Sequence, residues 1–282
     1  MHQTARDILD QVETLARGQS PAAERGSTVD SSERVDPFLL GLYDATLSGW
    51  YRDAQNELFL GFPISADDVV LDVGCGDGGT ISFCANRGAH VVLADIDAAQ
   101  IAAARARLKD SEARSVETYV TDSDPLPLRD ATASRVVCME TLEHVDDPVQ
   151  VMSELVRVGK FSARYLFTVP DPVGENLQKH LAPALYFEKP NHLRIFEREA
   201  FGALVENAGL MIESRYYYGF YWSIWWLLFW QCNVPLDAPE HPALDNWART
   251  WKALLETKNG LRTKRVLDRF MPKQQIIVAR KH

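Results

Sequence analysis

The stretch that decides the fold is Val70-Leu71-Asp72-Val73-Gly74-Cys75-Gly76-Asp77-Gly78-Gly79. Its first half is a short apolar run, which predicts a buried strand over 69–73. The glycines that follow are spaced as G-x-G-x-x-G. Glycine is needed where a chain turns tightly or where its backbone must approach a ligand, because a Cβ would block that approach. The stretch therefore predicts a strand, a ligand-binding turn and then a helix over about 78–88.

Short apolar runs alternate with helical segments through the rest of the chain. We expect strands at 90–95, 116–120, 134–140, 163–169, 211–218 and 274–280, and helices at about 37–48, 50–60, 98–109, 148–157 and 197–208. Buried strands that alternate with helices predict a mostly parallel sheet covered on both faces. Such sheets bind ligands at the carboxyl ends of their strands, so the functional residues should lie just after the strands.

The acids around the glycine turn indicate which nucleotide it binds. Asp95 ends the next strand, 21 positions after Gly74, where a carboxylate can accept hydrogen bonds from ribose hydroxyls. Asp72 and Asp77 would repel a pyrophosphate and suit a ligand with a cationic head. S-adenosylmethionine has a sulfonium and an ammonium and no phosphate. Asp77 is equally well interpreted as a helix N-cap, which does not exclude ligand contact.

Three segments together resemble the class I S-adenosylmethionine-dependent methyltransferases: VLDVGCGDGG (70–79), VVLADID (91–97) and TDSDPLPLRDATASRVVCMETLEHVDDP (121–148). The resemblance covers roughly residues 65–218 and resumes at 274–280. It implies an α/β fold with a Rossmann-like, seven-stranded, mostly parallel sheet, in which the last strand is inserted antiparallel and helices cover both faces. It also implies an enzyme that takes its methyl group from S-adenosylmethionine.

The resemblance assigns a set of residues to the cofactor. These are Asp72 and the backbone of Gly74, Cys75 and Gly76 at the methionine portion, Asp95 at the ribose, Ile96, Asp122 and Ser123 at the adenine, and Glu140 beside the transferring methyl group. Two of these assignments have simpler alternatives, because Ile96 could pack into the sheet and Asp122 could be a solvated loop residue.

The segment from Glu140 to His144 resembles the O-methyltransferases of ubiquinone biosynthesis, which belong to the type 11 methyltransferases. In that family two glutamates and a histidine are implicated in holding a divalent metal, which implies Glu140, Glu143 and His144 as ligands for a cation such as Mg²⁺. The alternative is that His144 shapes the pocket or acts as a general base, with Glu140 beside it. His192, in NHLRIF (191–196), is a second candidate base or a structural, hydrogen-bonded residue.

About 55 residues, 219–273, separate the last two predicted strands. They begin with FYWSIWWLLFW (220–230), which is shorter than the roughly 17–25 residues that span a bilayer. A helix that is apolar all round is normally buried. We therefore expect a helical, aromatic-rich insertion that serves as a lid, a substrate subdomain or an interface. Peripheral membrane contact through 220–230, helped by the basic stretch Arg262–Arg269, and a homodimer remain alternatives.

Composition limits the partners of the chain. Its 282 residues carry 30 Lys and Arg against 39 Asp and Glu, a net charge of −9, which argues against a nucleic-acid partner. Residues 249–282 alone hold ten basic and two acidic side chains, a net +8 that leaves −17 for residues 1–248. The four cysteines lack zinc-ligand or disulfide-scaffold spacing, and the first ten residues show no secretory signal. A cytoplasmic location is expected, with peripheral contact at the inner membrane surface as an alternative.

The predicted organisation has four parts. Residues 1–36 form an N-terminal helix and flexible linker, 37–218 the cofactor-binding core, 219–273 the insertion and 274–282 the last core strand. The predicted reaction is O-methylation of a phenolic, quinone-like, lipid-linked or glycan hydroxyl. N- or C-methylation of a small molecule, a cofactor-binding non-catalytic partner protein and a nucleotide-dependent oxidoreductase are the rivals, the last disfavoured by Asp72 and Asp77.

Overall fold

The structure is a computed structural model that describes residues 35–282. The predicted N-terminal helix and nearly all of the predicted linker therefore lie outside the described residues. The α-helices are α1 (Pro37–Thr46), α2 (Ser82–Ala85), α3 (Ala98–Leu108), α4 (Pro148–Val158), α5 (Pro172–Gln178), α6 (Arg198–Asn207), α7 (Phe220–Cys232), α8 (Pro242–Leu255) and α9 (Gly260–Phe270). The strands are β1 (Trp50–Arg52), β2 (Glu57–Phe59), β3 (Phe62–Pro63), β4 (Val69–Val73), β5 (His90–Asp95), β6 (Ser115–Val120), β7 (Ala133–Met139), β8 (Gly159–Pro170), β9 (Leu210–Tyr218) and β10 (Gln274–Lys281).

Seven of these strands form one sheet in the order β6-β5-β4-β7-β8-β10-β9. The pairs on the β6 side of β8 are parallel, whereas β10 runs antiparallel to both β8 and β9. Leu71 of β4 faces Val92 of β5 on one side and Val136 of β7 on the other. The predicted Rossmann-like sheet, with its antiparallel last strand, is confirmed. The strand order reverses between β4 and β7, which opens a crevice at their carboxyl ends.

The local sequence explains most of these boundaries. The central strands are buried on both faces, as their unbroken apolar runs predict. Several helices begin at an aspartate whose side chain accepts backbone N–H groups of the first turn, a strong N-cap arrangement. These caps are Asp36 before α1, Asp97 before α3, Asp147 before α4 and Asp171 before α5.

Two predicted helices are wrong in extent or type. Residues 50–60 form β1, a 3-10 turn and β2 instead of a helix, because Asn56 has a φ of +53° and breaks any helical run. Trp50 and Phe59 then pair across the two strands with ring centroids 4.9 Å apart. The helix expected over 78–88 is only one turn long, since Gly78 at φ +76° extends the preceding turn.

The helical, aromatic-rich insertion is confirmed. Helices α7, α8 and α9 pack with α1 around a separate core whose buried members include Tyr221, Trp225, Phe229 and Trp251. A Cβ on Gly41 of α1 would lie 2.1 Å from the ring of Trp222, so this glycine permits the closest approach of α1 to α7. Within residues 35–282, no helix has both the length and the apolar character that crossing a bilayer demands.

A buried ammonium group joins this insertion to α1. Lys264 Nζ lies 2.8 Å from Asp44 Oδ2 and 2.8 Å from Asp268 Oδ2, and all three side chains are at most 8% exposed. Trp251 Nε1 donates to Asp44 Oδ1 at 2.8 Å. Asp268 Oδ1 accepts the backbone N–H groups of Gly219 and Phe220, so the same network fixes the start of α7.

Replacing Lys264 by Met should destabilise the protein by about 3–5 kcal/mol, because two carboxylates would stay buried without their cation. Denaturant unfolding followed by circular dichroism measures this loss. Lys258→Met removes an exposed lysine near the start of α9 and should change the free energy of unfolding by no more than about 0.5 kcal/mol. Equal stability of the two variants would show that the buried network contributes nothing.

Candidate active site

The turn after β4 is shaped by glycines in the left-handed region. Gly74, Gly76 and Gly78 have φ values of +70°, +52° and +76°. A Cβ on Gly74 would lie 2.1 Å from Thr141 Oγ1, whereas a Cβ on Gly76 would meet no atom within 4 Å. Gly76 thus leaves its face of the turn open to a ligand. The third glycine of the predicted pattern, Gly79, has no positive φ, and Gly78 supplies the final bend instead.

Asp95, at the end of β5, holds this turn in place. Its Oδ2 accepts the backbone N–H of Gly76 at 2.9 Å, and its Oδ1 accepts the N–H of Asp97 at 2.9 Å. Ile96 lies between Asp95 and Asp97 in the sequence. It is 73% exposed, which does not fit ordinary sheet packing. The two residues therefore present a carboxylate beside an apolar surface at the mouth of the crevice.

Asp72 and Asp77 differ sharply in environment. Asp77 forms an ion pair with Arg107 and accepts the N–H of Gly79, so its charge is satisfied within the protein. Asp72 is only 4% exposed and forms no hydrogen bond through its carboxylate to any of residues 35–282. Burial, followed by the nearby charge of Asp95, raises the pKa of Asp72 to about 8. A buried carboxylate of this kind favours a cationic ligand, which would supply the missing counter-charge.

The ends of β6 and β7 complete the rim of the crevice. Asp122 is exposed, and Ser123 is buried at φ +69° with its N–H bonded to Thr121 Oγ1 at 3.0 Å. Glu140 also has a positive φ, +48°, which for a non-glycine residue costs on the order of 1–3 kcal/mol and is typical of functional sites. Thr168 holds Glu140 there, since its Oγ1 donates to Glu140 Oε1 at 3.0 Å.

Beyond Glu140 the structure brings Glu143, His144 and His192 together. Each offers one possible metal-ligand atom, and these three atoms all lie within 4.8 Å of one another. Glu143 is buried, and neither of its carboxylate oxygens has a hydrogen-bond partner among the described residues. Burial, and then the charge of Glu140, raises the pKa of Glu143 well above its usual value. Glu140, predicted as a metal ligand, is not part of this group, and His192 takes its place.

Both histidines have one ring nitrogen bound to an oxygen acceptor. His144 Nδ1 lies 3.2 Å from the carbonyl oxygen of Pro190, which can only accept, so Nδ1 carries the proton and Nε2 has the free lone pair. The rings of His144 and His192 meet edge to face at 4.9 Å. Burial, followed by the charge of His192, lowers the pKa of His144, which keeps its imidazole neutral at physiological pH.

Glu175 of α5 fixes the second histidine and was not predicted. Its Oε2 lies 2.7 Å from His192 Nδ1, and its Oε1 accepts from Gln178 Nε2 at 3.0 Å. Burial raises the pKa of Glu175, but the hydrogen bond from His192 and the charge of Lys273 outweigh it and lower the pKa overall. Lys273 Nζ lies 3.6 Å from Glu175 Oε1 and 4.0 Å from Glu140 Oε2. Lys273 directly precedes β10, and its position next to a strand end could have suggested it as a site residue. No sequence motif marks Glu175 in this way.

A cavity of about 240 Å³ lies beside this rim. Its walls come from α1, β1 and the ends of β7, β9 and α7, and include Tyr51, Met139, Tyr218 and Trp222. Met139 directly precedes Glu140, so the cavity is continuous in sequence with the strained strand end. The wall is almost entirely aromatic and aliphatic, which favours a flat or apolar molecule.

The sequence itself matches known proteins over this region. The family model described as a methyltransferase domain matches residues 71–167. A ubiquinone biosynthesis O-methyltransferase of Hahella chejuensis is 42% identical over 100 residues, which cover 35% of this chain and 42% of that protein. The ubiquinone biosynthesis O-methyltransferase of Vibrio campbellii is 30% identical over 174 residues, which cover 56% of this chain and 72% of that protein. The chain belongs to the class I S-adenosylmethionine-dependent methyltransferases.

The fold agrees with this family. A geranyl diphosphate methyltransferase solved in complex with S-adenosylmethionine superposes with a TM-score of 0.56 at 14% identity, covering 90% of this chain and 93% of that one. The match to the Hahella relative spans well under two thirds of that protein's length. Family membership implies S-adenosylmethionine as the cofactor of this methyltransferase. Its crevice fits that molecule, because Asp72 offers a buried carboxylate with a raised pKa to a cation, and Gly76 leaves an open face on the same turn. The individual cofactor contacts remain predictions.

The affinity for S-adenosylmethionine should increase as the pH rises towards about 8 and then level off. Asp72 is largely protonated below that pKa in the free protein, and a cationic ligand binds the ionised form, so binding must release a proton. Isothermal titration in buffers of different ionisation enthalpy measures this release. Asp72→Asn should lose it while retaining any proton uptake by the ligand's own amino group, whose cationic form is the one that binds. Equal proton release by the two proteins would contradict the assignment of Asp72.

Proposed function

We propose that this protein methylates the hydroxyl oxygen of an apolar acceptor, of the phenolic, quinone-like or lipid-linked kind, at the cavity beside Met139 and Glu140. The observation that carries the proposal is that an aromatic-walled cavity adjoins a strand end followed by a neutral histidine. The names of the Hahella and Vibrio relatives, both ubiquinone biosynthesis O-methyltransferases, support an oxygen acceptor. A glycan acceptor fits less well, because the cavity wall offers few polar groups.

The residues of the chain have distinct tasks in this mechanism. When bound, S-adenosylmethionine supplies a methyl group from its sulfonium and is left as S-adenosylhomocysteine. Asp72 and Asp95 hold the charged and hydroxylated parts of that cofactor, and the cavity orients the acceptor, which is the main contribution that a displacement reaction needs. His144 takes the proton of the acceptor hydroxyl on Nε2. Glu175 holds His192, whose ring packs edge to face against His144.

His144→Gln should lower kcat/KM by roughly 10²–10⁴-fold, the usual contribution of a general base. In the wild type with saturating S-adenosylmethionine, kcat/KM for the acceptor should be constant above neutral pH and fall only below the ordinary histidine pKa of 6.5, because burial lowers the pKa of His144 and the base must be neutral. Transfer of a labelled methyl group to phenols that carry short apolar tails measures both effects.

The matched control is His90→Gln. His90 lies at the amino-terminal end of β5, the opposite edge of the sheet from the site, and its ring Nδ1 lies 2.8 Å from Ser115 Oγ. It should leave kcat/KM unchanged. Methyl transfer to a nitrogen or carbon of the same acceptors, or full cofactor binding without transfer to any of them, would contradict the proposal.

A second role for the same histidine is favoured by one observation, the buried Glu143 carboxylate, whose two oxygens have no hydrogen-bond partner among residues 35–282. Glu143, His144 and His192 would together offer one carboxylate and two imidazoles to a divalent cation, with Glu175 and the Pro190 carbonyl orienting the two rings. Such a cation would lower the pKa of the acceptor hydroxyl and so replace the base.

Metal removal separates the two roles. If His144 is the base, activity should survive dialysis against EDTA and should not respond to added Mg²⁺ or Mn²⁺. If the cation is required, EDTA should abolish activity, either metal should restore it, and Glu143→Gln should abolish the binding of Mn²⁺ measured by electron paramagnetic resonance.

A further inference from the structure

One face of α9 is open to solvent although it carries large apolar side chains. Leu261, Val266 and Phe270 are 46%, 60% and 72% exposed. The opposite face of the helix is fixed in the protein, because Lys264 is buried against α1 and Leu267 packs with the aromatic core of the insertion. The exposed face therefore belongs to a rigidly held helix and not to a fraying end.

Three arginines occupy the middle of this face. At 3.6 residues per turn, Arg262, Arg265 and Arg269 lie within about 60° of one another around the helix axis. Leu261 lies on one side of them, and Val266 and Phe270 lie on the other. All three arginines are exposed, and none forms an ion pair with another of residues 35–282. We call these six residues the arginine face.

The arginine face stands out from the charge of the whole chain. The protein has a net charge of −9, yet the only acid of α9, Asp268, is buried and bound to Lys264. The nearest exposed acid in the sequence, Glu256, lies at the end of α8, and Lys258 follows two positions later. The positive charge is thus concentrated on one helix face and gives the molecule a preferred orientation towards an anionic surface.

We propose that the arginine face docks on an anionic phospholipid bilayer. Guanidinium groups bind lipid phosphates in pairs of hydrogen bonds, and the flanking apolar side chains enter the interface between headgroups and acyl chains. A nucleic acid would pair with the arginines but leave the exposed apolar side chains uncovered. The earlier candidate for membrane contact, 220–230, is now the less suitable one, because all its described side chains are buried or half-buried in α7.

The position of α9 connects the arginine face to the acceptor cavity. The purpose of membrane docking therefore rests on the proposed function. Leu267 of α9 and Trp222 of α7 belong to the same aromatic core, and Trp222 lines the acceptor cavity. Helices α7, α8, α9 and α1, which share this aromatic core, form a helical cap beside the cavity. Docking through α9 would hold this cap at the bilayer surface, where an apolar, lipid-linked acceptor resides.

Co-sedimentation of the full chain with vesicles tests the proposal. Vesicles of phosphatidylcholine mixed with phosphatidylglycerol should bind the protein, vesicles of phosphatidylcholine alone should bind it weakly, and added salt should weaken the binding. Replacing Arg262, Arg265 and Arg269 together by Gln should reduce the partition coefficient at least about tenfold, since each basic residue near an anionic surface contributes a several-fold factor. Val266→Ser with Phe270→Ser should also weaken binding, but with little change in its salt dependence.

The matched control removes three other exposed positive charges, by replacing Arg105, Lys109 and Arg129 with Gln. It should bind the mixed vesicles as the wild type does. An equal loss of vesicle binding in both triple variants would show that only the net charge matters, and would overturn the proposal. Wild-type vesicle binding by the α9 triple variant would also overturn it. Loss of binding to single-stranded RNA, without loss of vesicle binding, would assign the face to nucleic acid instead.

Methylation of a soluble acceptor keeps this test separate from the proposed function. The α9 triple variant should methylate phenols with short apolar tails at the wild-type rate, because none of the three arginines lines the cavity. Normal methylation without vesicle binding by the wild type would reject the docking surface alone. Vesicle binding without methylation would retain the docking surface and reject the acceptor chemistry. Circular dichroism of each variant confirms that it folds.

Discussion

The parallel pairing of β4 with β5 on one side and with β7 on the other is the constraint on which the site depends. It sets the carboxyl ends of three strands side by side, with the chain leaving β4 and β7 in opposite directions across the sheet. Asp95 can bond the backbone of Gly76 only because β5 ends beside the turn after β4. Likewise, Thr141 after β7 reaches the bare face of Gly74, where no other residue than glycine would fit.

Around this crevice the protein tolerates arrangements that cost stability. Glu143 is a buried carboxylate with no hydrogen-bond partner among the described residues, Asp72 is buried with a raised pKa, and Glu140 has a left-handed backbone. Burial of an ionisable group without a partner is unfavourable, and proteins respond by shifting its pKa towards the neutral form. The concentration of such groups at one edge of the sheet is typical of a site built for a ligand or for proton transfer.

The aromatic insertion depends on contacts between distant parts of the chain. Lys264 and Asp44 are 220 positions apart in the chain. The α1 and α7 walls of the cavity are also distant in sequence, since Tyr221 Oη of α7 donates to the carbonyl oxygen of Pro37 of α1 across 184 positions. The buried ion pair and the close fit of Trp222 over Gly41 hold the insertion and the first described helix together. The cap over the cavity is therefore one unit, although its parts come from the two ends of the described chain.

The sequence by itself determined the sheet, the glycine turn and the identity of the strand-end acids, because those features follow from local patterns: apolar runs, glycine spacing and the acids that end strands. It also determined that 219–273 would be helical and aromatic. Only the tertiary structure decided that Gly78 and not Gly79 bends the turn and that 50–60 contain β1 and β2 in place of a helix. It also decided that His192 joins Glu143 and His144, with Glu175 bound to His192. The physical reason is that these outcomes depend on contacts that form only in the folded chain, such as the pairing of β1 with β2 and the hydrogen bond between Glu175 and His192, whose energies no local pattern records.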